Sequence, residues 1–457
     1  MSALNVLLVT YVFPPAGGVG VLRAASLARY FPSEEIRLDV LTARNASAVG
    51  RDPTLLKEIP AEVTVHRTIT LDLPFGIKKG IKRLVTGSRR SAGKSIDPGS
   101  TGKPALFRRL LENILLPDPQ VTWFPVLTRA ARRIVREREI DLVLITAPPF
   151  SNVLLVEKLR EEFPRLAIVV DFRDEWLSTT IDLVGFSRGK RARRVARNIE
   201  ASAVANATAI VAVTEAARRE IRARYPQEPD YKFQLIPNGF DATRLKTSMP
   251  PSSRRPDGVI IVTYIGAVYS STEPTTLVQA LQSLPREIRS RFRLRFVGHI
   301  EEPRFREALL QLGEMVELLG HMPQHEALAA MNETDYALLV SHDRLNVSAK
   351  FYDYAGAGKP ILACIHPEGD IRIMLEDLRA GWWTGGRDID GIRQLFLDAA
   401  ARCNTLLTTF KPDTKKIARY ERKVLAQRYA ALLRSIAGKQ HKSGAKSQAA
   451  EQTLEVR

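Results

Sequence analysis

Short, continuously apolar runs recur along the chain. In the first half they are Val6–Thr10, Asp141–Thr146, Ala167–Val170 and Ala209–Thr214. In the second half they are Ile260–Ile265, Leu294–Gly298, Val316–Leu319, Tyr336–Val340 and Ile361–Cys364. Runs without polar alternation predict strands buried on both faces, the habit of parallel sheets. Between them apolar residues repeat at helical spacing: from Val21 through Leu22, Ala25, Leu27, Ala28 and Tyr30, over Val126–Glu137 with its arginines facing water, and over Ile392–Cys403. Strand and helix alternate throughout, so the pattern predicts an α/β protein with parallel sheets and crossover helices.

The turn-rich stretch PPSSRRPDG divides the pattern in two, and 457 residues are too many for one core. We therefore expect an N-terminal domain over 1–240, a connection over 241–257 and a second domain over 258–412. A helix over 413–437 follows, and the tail 438–457, lacking an apolar period, is expected to be disordered.

Composition narrows the class. No apolar run approaches the roughly 18 residues needed to cross a bilayer, and Leu4–Thr10 has no leader features, so a cytoplasmic location is expected. Two cysteines and scattered histidines, only His321 and His325 being at helical spacing, match no zinc pattern; neither a metal nor a cofactor is expected. The formal charge is +18, and half of that excess lies between 76 and 110, where ten basic residues face only Asp97. Such a segment suits an anionic membrane surface; stacking aromatics are nearly absent from it, which disfavours nucleic acid. A solvated insertion suits it equally.

Candidate chemistry gathers in 343–364, DRLNVSAKFYDYAGAGKPILAC. Ser348 can cap a helix, Lys350 falls in its first turn and Asp353 one turn later; Gly358 and Pro360 end the helix before a strand. A helix N-terminus joined by a lysine is a seat for a diphosphate, and Asp353, on the same face as Lys350, offers two acceptors to vicinal hydroxyls. An ordinary surface ion pair gives the same spacing. In the first domain, YVFPPAGGVG turns from strand to helix; Gly18, Gly20 and Arg23 break the dinucleotide series G-x-G-x-x-G, which argues against a nicotinamide enzyme. The group DFRDEW ends a strand, which directs Asp171, Arg173 and Asp174 to a ligand-binding edge, although an Asp-Arg-Asp cluster equally suits an ion-pair knot.

Taken in order, YVFPPAGGVG, DFRDEW, IPNGFD and AKFYDYAGAGKP resemble the motifs of family-4-type (group 1) glycosyltransferases, and the resemblance covers nearly the whole chain. It implies the GT-B fold: two Rossmann-like domains facing each other across a cleft, with a C-terminal helix crossing back to the N-terminal domain. It further implies that Gly17 and Gly18 supply amides to the ligand and Arg23 a charge. Ser348, Lys350 and Asp353 would bind a nucleoside diphosphate sugar, Lys350 would neutralise the departing diphosphate, and Asp171 is a candidate base.

Three positions depart from the family pattern. Leu345 stands where a first glutamate is usual, with Asp343 the nearest substitute. Phe150 stands where many members carry a histidine, and Ser270 and Ser271 occupy the region of a basic pair. The expected activity is transfer of a sugar from a nucleoside diphosphate donor to a glycan or lipid-linked acceptor in cell-surface polysaccharide assembly, with retention and without metal, in the cytoplasm or at the inner face of the membrane. The alternatives are an inactive nucleotide-sugar-binding scaffold, a basic membrane- or RNA-binding protein on the same fold, and a sugar-nucleotide epimerase.

Overall fold

The computed structural model describes residues 3–46, 50–70, 115–178, 189–246, 258–322, 324–403, 405 and 409–455. The basic segment 76–110 and the stretch 247–257 of the expected connection lie outside these. The chain forms two compact units. Unit 1 comprises Met1–Ala212, Arg218–Ile236 and Ala426–Arg457; unit 2 comprises Val213–Ala217 and Pro237–Leu425.

Unit 1 is built on seven strands, β1 (Leu4–Val9), β2 (Ile36–Ala43), β3 (Thr64–Thr68), β4 (Leu142–Ala147), β5 (Ala167–Phe172), β6 (Ala209–Ala212) and β7 (Phe233–Leu235), in the order β3-β2-β1-β4-β5-β6-β7. Every pairing is parallel; β1 takes β2 on one side, Val6 opposite Leu38, and β4 on the other, Val6 opposite Leu142. The continuous apolar runs are explained by burial on both faces: Val6–Val9, Leu142–Ile145 and Ala167–Val170 are without exposure.

Unit 2 repeats this winding with six strands, β8 (Ile260–Ile265), β9 (Phe292–Val297), β10 (Val316–Gly320), β11 (Tyr336–Ser341), β12 (Ile361–Ile365) and β13 (Gly381–Gly385), in the order β10-β9-β8-β11-β12-β13. Alternate residues feed two cores: Ile260, Val262, Tyr264, Leu362 and Cys364 face one, and Ile361, Ala363 and Ile365 the other. Burial pushes the Cys364 thiol up to about 12, so it acts as a small apolar side chain.

Two expectations differ from the structure. The units part between Ile236 and Pro237, before the connection expected at 241–257, because Phe240 and Leu245 are buried in the core of unit 2. The last helix, Arg422–Glu455, runs through most of the tail expected to be disordered. The tail carries alanine, lysine, glutamine and glutamate, good helix formers, and they propagate a helix already nucleated upstream.

IPNGFD opens unit 2 by pairing with a distant segment. Phe240 N–H donates to Tyr420 O at 3.1 Å and Arg422 N–H to Phe240 O at 2.9 Å. A Cβ on Gly239 would lie 2.0 Å from Tyr420 O and 2.6 Å from Leu425 Cδ1, so only glycine lets the backbones approach. Gly239→Ala is expected to lower stability by about 1–3 kcal/mol. Gly50→Ala, whose added carbon meets open space, should change it little; denaturant unfolding of both variants checks this.

Candidate functional site

In unit 2 the strand order reverses between β8 and β11, the switch point at whose carboxyl edge α/β sheets generally take their ligands. One loop begins at Gly266 and the other runs from Ser341 into the helix Ala349–Gly356. Gly266 and Gly298 have φ of 119° and 143°, and a Cβ on Gly298 would lie 2.2 Å from Gly266 O. A Cβ on Gly266 would come within 3.3 Å of Lys350 Cε. The glycines thus let two strand-end loops touch and leave room for the lysine.

Lys350 lies half-buried in the first turn of that helix, its ammonium 3.7 Å from the ring centroid of Tyr264 and donating to the Tyr264 hydroxyl. Among the described residues it has no carboxylate partner, and burial alone lowers its pKa from 10.5 to about 7. Ser348 takes the N-cap position but does not cap: its hydroxyl bonds no backbone N–H and is buried without a partner among the described residues. Among the described residues, a lysine without a counter-ion and a hydroxyl without a partner thus stand together at one helix N-terminus, a combination with the chemistry to receive an anion.

Asp353 departs from the expected pairing. Burial raises its pKa to about 6; it lies near Arg422, Asp241 and Arg244, and Lys350 is not among the charges acting on it. Lys350 meets Tyr264, whereas Asp353 lies among Arg422, Asp241 and Arg244. The Asp353 carboxylate accepts no hydrogen bond from the described residues. Asp343 does not substitute for the missing glutamate: it accepts from Leu345 N–H at 2.8 Å and from Asn346 N–H and Nδ2, which folds the turn ahead of the helix. Leu345 is buried and its carbonyl receives the Thr214 hydroxyl.

In unit 1 the candidates form a buried knot. Arg23 grips Asp171 with Nε at 2.9 Å and Nη2 at 3.0 Å, and Nη2 also reaches Ile236 O and the Tyr429 hydroxyl. Asp171 is fully buried. Burial opposes the charge on Arg23, but Asp171 and Tyr429 hold it firmly protonated. Asp171 is therefore no general base and Arg23 no charge for a ligand: their polar atoms are committed to each other. Arg173 likewise donates to Gly20 O and Pro148 O, tying together the loops after β1, β4 and β5, with Asp174 beside it. Gly17 N–H donates to Gly50 O at 2.9 Å and is unavailable to a ligand. Gly18, exposed with φ of 94° at the N-cap of helix Val19–Tyr30, retains a free amide among the described residues. Phe150 stacks on Trp176, ring centroids 4.3 Å apart and planes 3° from parallel.

Sequence reasoning missed Tyr264, whose ring and hydroxyl seat Lys350, and the charged surroundings of Asp353. Nothing local marks either, because Tyr264 reads as one apolar residue of a strand and Arg422 lies far along the chain. Lys359 of the Gly-Lys-Pro entry is structural, its ammonium donating to Asn332 O and Thr334 O. Among the described residues no three His, Cys, Asp or Glu side chains converge on one point.

Two parallel sheets with the same winding, each reversing its strand order once, define the GT-B fold. The sequence model of Glycosyltransferase Family 4 matches residues 16–244, half of the chain, and the chain belongs to that family. Solved structures agree in fold at low identity. Sucrose-phosphate synthase from Thermosynechococcus elongatus superimposes with a TM-score of 0.64 at 13% identity, covering 95% of this chain and 100% of that one. HepE from Anabaena, solved with UDP and glucose, gives 0.62 at 15%, covering 94% and 100%. A glycosyltransferase from Rickettsia africae gives 0.59 at 14%, covering 95% and 99%. No curated protein matches the chain.

Two outcomes follow from these environments. Asp171→Asn leaves Arg23 buried without its carboxylate and should cost about 3–5 kcal/mol of stability; a loss of turnover at full stability would contradict this. For Lys350 the folded pKa lies below the unfolded one, so the unfolded chain binds the extra proton between about 7 and 10.5. The stability that this lysine withholds is therefore regained as pH rises through that window. Lys350→Met should raise the unfolding midpoint at pH 7 and flatten its rise towards pH 10, as thermal melts across pH will show.

Proposed function

We propose that the protein transfers a hexosyl group from a nucleoside diphosphate sugar to a glycan or lipid-linked acceptor, with retention and without metal, in assembly of a cell-surface polysaccharide. We place it on the cytoplasmic side, at the inner face of the membrane. The observation that carries this reading is Lys350: a half-buried ammonium with no carboxylate partner among the described residues, at a helix N-terminus and a sheet switch point. Departure of a nucleoside diphosphate places negative charge where Lys350 and the N–H groups after Ser348 stand. Preorganised donors at such a position are typically worth a few kcal/mol of barrier. Asp353, whose carboxylate accepts no hydrogen bond from the described residues, takes the vicinal hydroxyls of the ribose. In the described structure no helix is long and apolar enough to cross a membrane, so residence there would be peripheral.

UDP is the first nucleotide to try, because HepE has been solved with UDP and with UDP-glucose. Calorimetry with UDP, GDP, ADP and their sugar conjugates should find one nucleotide preferred. Lys350→Ala and Asp353→Ala should each weaken it, by about ten- to a hundredfold for a lost hydrogen bond to a charged group. A diphosphate also draws the lysine pKa upward, so binding at pH 8 should take up a proton, seen as a dependence of heat on buffer ionisation that Lys350→Ala removes. A folded protein that binds none of these nucleotides, or that ignores both substitutions, would refute the donor site.

A further inference from the structure

Helix Phe124–Glu137 of unit 1 carries arginines at 129, 132, 133 and 136, a spacing that places all four on one side. Its other side, with Leu127, Ala130, Ala131, Ile134 and Val135, is buried against the sheet. Together with Lys158 of the neighbouring helix Leu155–Glu162, the arginines rim an open groove of about 580 Å³ walled also by Phe124, Pro125 and Thr128. Val126, 39% exposed, borders the same face.

The charges are not closed on themselves. Arg132 and Arg136 share Glu162, Arg133 reaches Glu137 at 3.8 Å and Lys158 pairs with Glu161. Arg129 is exposed and has no hydrogen bond or ion pair among the described residues. Five cations thus face three carboxylates, and two arginines share one of these. A guanidinium so placed can exchange its carboxylate for a phosphate in the same forked geometry. Apolar side chains at the margin of a basic face suit the boundary between headgroups and acyl chains, into which arginine stems also fit. A single-stranded nucleic acid would call for several stacking rings, and the groove holds only Phe124.

We infer that this arginine face is where the protein docks on anionic phospholipid, its groove taking headgroup phosphates and Val126 and Pro125 entering the interface. The inference rests on the membrane reading above and gives it a surface. The test is co-sedimentation of the full chain with vesicles of phosphatidylcholine alone or mixed equally with phosphatidylglycerol, with poly(U) RNA as a competing polyanion. The wild type should partition to the mixed vesicles only, and less at high salt. Arg129→Glu with Arg133→Glu should reduce that partition roughly tenfold or more. Arg129→Gln with Arg133→Gln, which keeps a good helix-forming side chain, should reduce it less; melting curves confirm that each variant is folded. Undiminished binding by both double variants would overturn this surface and leave membrane residence standing. No binding by the wild type would overturn both, and binding to RNA in place of vesicles would replace lipid with nucleic acid. Nucleotide calorimetry decides the transferase reading separately.

Discussion

The guanidinium of Arg23 is the fastening on which unit 1 depends. It comes from the first helix, grips Asp171 at the end of β5, takes the carbonyl of Ile236 where the chain leaves β7, and meets Tyr429 on the last helix. A charge this deeply buried is tolerable only when its donors are matched, and here each partner comes from a different part of the chain. That requirement explains why DFRDEW looks like a reactive motif and is not one. Its first aspartate holds Arg23, and its arginine bridges the loops after β1 and β4. Its glutamate, Glu175, is buried and bonds the backbone of Ser178 and Arg224.

Unit 2 treats charge in the opposite way. Among the described residues Lys350 is desolvated and has no counter-ion and the Ser348 hydroxyl has no partner, and Asp353 is held well above the usual carboxylate range. Such groups disfavour the folded state until something binds, and a site that stores this mismatch gains when a ligand supplies the missing charge. The contrast is between buried groups whose partners are matched in unit 1 and buried groups in unit 2 that, among the described residues, lack them.

Much of the fold was legible because parallel sheets write their strands as unbroken apolar runs. Strands with less apolar sequence were not: β13, GWWTG, is framed by glycines, and β3, TVHRT, is polar at an edge. The helix around Lys350, with its stop at Gly358 in the left-handed conformation, follows from local rules alone. Side-chain partners over long separations do not. Proximity to a strand end drew attention to Asp171, and the family resemblance to Arg23 and Asp343, but whether such a group is open or already occupied depends on Tyr429, Ile236 or the turn at Asn346, which no spacing reveals. Gly17 misled for the same reason, since its amide belongs to Gly50.

Because Ala426–Arg457 belongs to unit 1 while almost all of the preceding 190 residues belong to unit 2, the two units do not finish in the order in which they begin. During synthesis the strands of unit 1 emerge first, yet Tyr429, which completes the surroundings of Arg23 and Asp171, leaves the ribosome only after unit 2 is made. Domains generally fold as units while the chain lengthens. Unit 2, whose sheet is nearly one continuous segment, can therefore close while unit 1 still holds an ion pair with one side uncovered. A chain broken off before residue 429 would keep both sheets and lack the last partner of the Arg23 guanidinium.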